Sequence, residues 1–187
     1  HEDPRRQRQM CIRDSLDVVS ASYNDDTIAW YENNGATDPS FTKVVIATSA
    51  DGAKDVKVAD IDGDGDLDIV SASQNDNTIA WYENNGAADP TWTAADITTS
   101  AGGASDVFIA DIDSDGDLDI ISAEKNNNMV AFYENNGASD PAFTKAVIAT
   151  AYSKVQVFVA DIDGDGDLDV ASGLSLIHIS EPTRHRL

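Results

Sequence analysis

The chain repeats itself at a fixed spacing, and no other feature restricts its fold as strongly. "LDVVSASYNDDTIAWYENNGATDPSFTKVVIATS" at 16–49 returns as "LDIVSASQNDNTIAWYENNGAADPTWTAADITTS" at 67–100 and as "LDIISAEKNNNMVAFYENNGASDPAFTKAVIAT" at 118–150, offset by 51 residues each time. An acidic stretch recurs with them from Asp60, Asp111 and Asp161, the last spacing being 50. A period of this length marks a solenoid, a propeller or an array, in which each unit buries its apolar faces on its neighbours.

Each unit reads as four short strands divided by turn signals. In the second unit these are "VKVADI" (56–61), "LDIVSAS" (67–73), "TIAWYE" (78–83) and "TWTAADITT" (91–99), separated by the Asp-rich loop, "QNDN" and "NNGAADP". Asn and Gly supply the positive φ of tight turns, and Pro90 cannot donate to a central ladder. "IAWY" and "DIVSA" are apolar or small on both faces, as suits sheets sandwiched between neighbours. Four antiparallel strands in about 50 residues is the pattern of a propeller blade. A calcium-binding β-roll would repeat at about nine residues instead.

The predicted fold is therefore all-β: a partial β-propeller of about three four-stranded antiparallel blades. Its units run 16–55 (partial), 56–105, 106–155 and 156–173 (partial). Propellers close with about 4 to 8 blades, so the piece is expected to have open blade edges, to be marginal or aggregation-prone alone, and to partner the remaining blades of its own chain.

The ends read differently. Met10–Ser15 and Leu174–Ser180 are peptides that opposite strands of one short DNA element would encode. That element resembles the transposon end used to fragment DNA for sequencing, so 1–15 and 174–187 are set aside as spurious adaptor-like tails. Between them stand six lysines and thirty acidic residues, hence a charge of −24, with no arginine, cysteine or histidine. Cys–His and Ser–His–Asp chemistry lacks its base, and a Cys/His zinc site lacks its ligands. Nucleic acid and anionic membrane are excluded as partners, since both are bound through clustered Lys and Arg. No apolar run approaches the roughly 20 residues that span a bilayer, so membrane insertion is excluded too.

The acidic stretches fit a calcium loop. Calcium takes about six to eight oxygen ligands, which a loop can present from alternate positions if a glycine allows the turn. In the register D-x-D-x-D-G-x-x-D the ligands are Asp60, Asp62, Asp64, Asp68 and the Asp66 carbonyl, around Gly65. The second copy offers Asp111, Asp113, Asp115, Asp119 and the Asp117 carbonyl; the third offers Asp161, Asp163, Asp165, Asp169 and the Asp167 carbonyl. About three Ca2+ sites are expected. An EF-hand would need a bidentate Glu at loop position 12, where Ser71, Ser122 and Ser172 stand, so the metal is read as structural rather than as a switch. A glycosidase-like carboxylate pair would need two acids in distinct environments within one pocket, which repeated loops do not suggest.

"DIDGDGDLDI", "DIDSDGDLDI" and "DIDGDGDLDV" resemble the calcium loops of FG-GAP or VCBS-type repeats, a family that includes the propeller of integrin alpha subunits and many secreted bacterial surface proteins. The resemblance implies a calcium-stiffened, non-catalytic propeller, extracellular or at the cell surface, serving adhesion or recognition of a protein or carbohydrate ligand. The Phe-Gly and Gly-Ala-Pro signatures are absent, which points to the VCBS-type branch. The alternative is an accessory or catalytic propeller of a secreted polysaccharide-active enzyme.

For a ligand surface, "YNDD" (23–26), "QNDN" (74–77) and "KNNN" (125–128) share one end with the links near 50–55, 101–106 and 151–155; their residues are also those that hairpin turns require. Trp30, Trp81 and Phe132, each followed by Tyr31, Tyr82 or Tyr133, are expected in the packing between blades rather than on a carbohydrate platform.

Overall fold

The computed structural model describes residues 15–150 and 155–174, among which all regular structure is β. The adaptor-like ends lie outside the described residues save for Ser15 and Leu174, as does the link at 151–154. Four antiparallel sheets succeed one another in chain order. The first holds β1 (Val18–Ser22), β2 (Thr27–Asn33) and β3 (Phe41–Ala47). The second holds β4 (Ala53–Ala59), β5 (Asp68–Ser73), β6 (Thr78–Asn84) and β7 (Trp92–Thr98). The third holds β8 (Ala104–Ala110), β9 (Asp119–Glu124), β10 (Met129–Asn135) and β11 (Phe143–Thr150), and the fourth β12 (Val155–Ala160) and β13 (Asp169–Leu174). Each sheet is an up-and-down meander, and together they are blades of a partial propeller.

The two-sided apolar strands explain the stacking. Along β6 the side chains alternate: Ile79 and Trp81 join a core shared with the third sheet, while Ala80 and Tyr82 join one shared with the first. In β10, Ala131 and Tyr133 turn back to the second sheet, and Val130 and Phe132 turn forward to the fourth. The expected aromatic packing is found at Trp81, Tyr82, Phe132 and Tyr133, which are buried, whereas Trp30 and Tyr31 are half-buried.

One strand boundary differs from the expectation of the sequence. β4 runs 53–59 rather than 56–61, because Ala53 is buried against the first sheet and pairs with Ser73. At the other end the chain leaves the ladder at Asp60: the Ile61 N–H donates to the Asp68 carboxylate instead of to a strand partner.

The first strands are also joined by side chains. A bulge between Ala53 and Asp55 re-aims the strand, and Asp55 Oδ2 accepts the Val107 N–H of β8 at 3.0 Å. The same bulge recurs between Ala104 and Asp106, and Asp106 Oδ2 accepts the Val157 N–H of β12 at 2.8 Å. Asp55 also pairs with Lys57 and shares a carboxyl hydrogen bond with Asp106.

Burial, then this hydrogen bond, pushes Asp106 up to about 6. Burial also raises Asp55, but bonds from Asp106, Lys57 and the Val107 N–H outweigh it and hold Asp55 below its ordinary value. A raised carboxyl binds its proton better in the folded state, so the Asp106 contribution is present below the ordinary value of 3.8 and lost as pH rises through about 6. The Asp55 contribution is lost only as pH falls below 3.8. Urea midpoints should show it: between about pH 4 and 6.5 Asp106→Asn loses less stability with rising pH than the parent. Identical slopes would mean that the Asp106 carboxyl is not raised in the folded protein.

Candidate metal centres

Each acidic loop connects the first strand of a blade to the second, and its shape comes from residues that tolerate a left-handed backbone. Gly65, Gly116 and Gly166 sit at φ 97°, 101° and 96°, with nothing close to where a Cβ would stand, so conformation rather than space requires glycine. Two residues earlier Gly63 and Gly164 are also left-handed, and Ser114 is held at φ 65°.

Within this turn the carboxylates fold inward onto the loop's own amides. Asp60 Oδ2 accepts the Gly65 N–H at 3.0 Å, and Asp111 and Asp161 do the same to Gly116 and Gly166 at 3.1 and 3.0 Å. Asp62 and Asp64 accept the N–H two residues on, as do Asp113, Asp115, Asp163 and Asp165. Asp68 and Asp119, at the ninth position, are buried and bridge two segments. Their Oδ2 atoms accept the Ile61 and Ile112 N–H groups at 3.1 Å, and their Oδ1 atoms accept Asn84 and Asn135 at 2.8 and 2.9 Å. Asp169 accepts the Ile162 N–H in the same way.

Three carboxylate clusters result, each with ligand oxygens within 4.8 Å of one another: Asp60, Asp62 and Asp68; Asp111, Asp113 and Asp115; Asp161, Asp163 and Asp169. Of the expected side-chain ligands, Asp64, Asp119 and Asp165 fall outside them. Asp66 and Asp117, expected to offer carbonyls, place their side chains where a Cβ on Gly86 or Gly137 would stand. The NNG turns and acidic loops are thus packed together at one end of the blade.

One atom tests whether a cation fits. Asp60 Oδ1 is buried and accepts no hydrogen bond, although it sits within the first cluster. In the other loops the corresponding oxygens of Asp111 and Asp161 accept the Asp115 and Asp165 amides. A buried carboxylate oxygen without a donor is costly, and a hard dication is the partner that such an oxygen suits. Burial raises Asp62, with the Asp64 and Asp60 charges adding to it; burial raises Asp68, and carries Asp119 up to about 6. A bound dication would reverse that balance by favouring the ionised forms. The donor set, carboxylates with no nitrogen or sulfur, suits calcium.

The loops at the opposite end, expected as a possible ligand surface, are engaged in holding the blades together. Asp26 and Asn77, both left-handed, accept the Gly52 and Gly103 N–H groups at 2.9 Å, pinning each hairpin to the link that leads to the next blade. Asn75 grips the first link from the other side through Asp51. The link at 151–154 lies outside the described residues. A further group escaped the sequence reading: Glu124, where the other repeats have Ser22 and Ser73, is fully buried. It accepts the Tyr133 hydroxyl at 2.7 Å and Asn127 Nδ2 at 2.6 Å, and pairs with Lys145 at 2.7 Å. Burial and then the Glu124 carboxylate push the Tyr133 hydroxyl upward. The glutamate breaks the repeat, and that break was its only signal.

Asp119 tests the structural role of the ninth position apart from any ion. In Asp119→Asn one of the two bridged amides faces an NH2 group, and leaving a buried donor unsatisfied costs about 1–3 kcal/mol. Urea unfolding in a chelator should show that loss; an unchanged midpoint would mean that the bridge contributes nothing.

A family model described as FG-GAP-like repeat matches the chain over residues 15–71, 60–122 and 111–172. No curated protein matches it. Successive matches overlap on the acidic loops, so the family unit runs from one such loop to the next. With nearly all the described residues inside these matches, the chain belongs to the FG-GAP-like repeat family.

Proposed function

We propose that the chain is a calcium-binding, non-catalytic repeat scaffold of an extracellular or cell-surface protein, serving adhesion or ligand recognition. The observation that carries the calcium reading is the buried, donorless Asp60 Oδ1 beside Asp62 and Asp68. In the first loop these three carboxylates would hold the ion. The second and third loops would use Asp111, Asp113 and Asp115, and Asp161, Asp163 and Asp169. The ion would supply positive charge where several carboxylates crowd; two of them about 5 Å apart repel by roughly 3 kcal/mol at an effective dielectric near 20.

Family membership supports the scaffold reading, and the fold agrees with it. FG-GAP-like repeats present loops from a rigid stack, and rigid stacks with variable rims are suited to binding. No helix among the described residues is long and apolar enough to cross a membrane. Extracellular calcium suits modules with dissociation constants on the order of 10⁻⁴ to 10⁻³ M.

Calcium titration with thermal melting checks the metal. At ten times the dissociation constant each occupied site adds about 1.4 kcal/mol, enough to raise the melting temperature by several degrees. Asp62→Ala with Asp113→Ala should remove most of that rise, and a melting temperature indifferent to calcium would sink the reading. Calcium-dependent retention on immobilised matrix proteins or polysaccharides would support the adhesive role.

A further inference from the structure

The stack ends in two faces that match each other. In the second and third sheets Ile69 and Tyr82, and Ile120 and Tyr133, are covered by the preceding sheet and are no more than 4% exposed. Trp92 and Phe143 close the same faces at their margin. The equivalent residues of the first sheet are Val18, Tyr31 and Phe41. Here Val18 is 49% and Phe41 47% exposed, and the three line an apolar hollow of about 250 Å³. Among the described residues the inner edge of β1 pairs with no counterpart of the strand that β4 and β8 supply to the full blades.

The far end shows the complementary surface. Ile61 and Ile121 are buried in contact with the following sheet, and Phe108 is packed at that interface. Their equivalents in the fourth sheet are Ile162, Ala171 and Phe158, of which Phe158 is 61% and Ile162 52% exposed. The contact also has a polar mark: Asn135 Nδ2 donates across the blades to the Ile61 carbonyl at 3.1 Å. Asn33 and Ile162 hold the same two positions at the open ends.

We propose that these faces dock on one another between copies, so that the Phe158–Ile162 face of one chain covers the Val18–Tyr31–Phe41 face of a second copy. The argument is continuity: every interface between the described sheets is this head-to-tail contact, and the first and last described sheets expose its two halves. Such a contact is heterologous, so it closes into a ring or propagates. Val18, Tyr31, Phe41 and Phe158 stand outside the acidic loops, and Ile162 stands within the third. Both partners are strongly acidic, so association requires salt; at about 0.15 M the screening length is roughly 8 Å.

Sedimentation velocity of the full chain across a range of concentrations at that salt tests the proposal, with Val18→Asp and Phe158→Asp as variants. Both positions are exposed, and unchanged circular dichroism confirms that each variant folds. The parent should gain mass with concentration, each variant alone should remain monomeric, and an equimolar mixture should stop at a dimer, since one intact face remains on each. A parent that stays monomeric overturns the proposal and leaves the face to another blade of a longer chain. A variant that still associates alone, or a mixture that does not pair, overturns it as well.

Discussion

Two-sided burial of the middle strands is the constraint on which the rest of the architecture depends. A strand such as β6 sends Ile79 and Trp81 one way and Ala80 and Tyr82 the other, so its sheet has no face suited to water. Each fully buried large apolar side chain contributes roughly 1.5–3 kcal/mol, and the side chains on one face lose that contribution when the neighbour on that side is missing. The sheets must therefore stack. Stacking in one direction, by one contact repeated, puts every acidic loop at the same end and every Asn-rich hairpin at the other.

Polar groups then hold the stack in register. The aspartates serve three purposes that composition alone merges. Asp55 and Asp106 reach from one first strand to the next. Asp68 and Asp119 are consumed by backbone amides and tie the acidic loop to the NNG turn. The remaining loop carboxylates curl over their own amides and leave, in the first loop, a buried oxygen with no donor. Much of the carboxylate charge that crowds the sequence is hydrogen-bonded by N–H groups, and the remainder is what a cation would offset.

Much of this was legible before the structure. Turn residues and the 51-residue offset located the strands to within a few positions, because alternation and Gly/Asn punctuation are local properties. The pairing of acidic loop with NNG turn is a consequence of meander topology. Glu124 and the Asp55–Asp106 contact were not legible, since both depend on side chains brought together from different strands or sheets. The three loops are nearly identical in sequence, yet their clusters differ in membership, a difference set by side-chain orientation that a motif does not encode.

The sequence by itself determined the repeat, the all-β class, the exclusion of histidine and cysteine chemistry from the repeat region and the position of the acidic loops, because these rest on residue type and spacing. Tertiary structure decided which aspartates gather, which are already held by amides, and which apolar faces remain uncovered at the two ends. Those outcomes depend on contacts between segments about 50 residues apart, where the identity of a residue matters less than the groups that the neighbouring blade places against it.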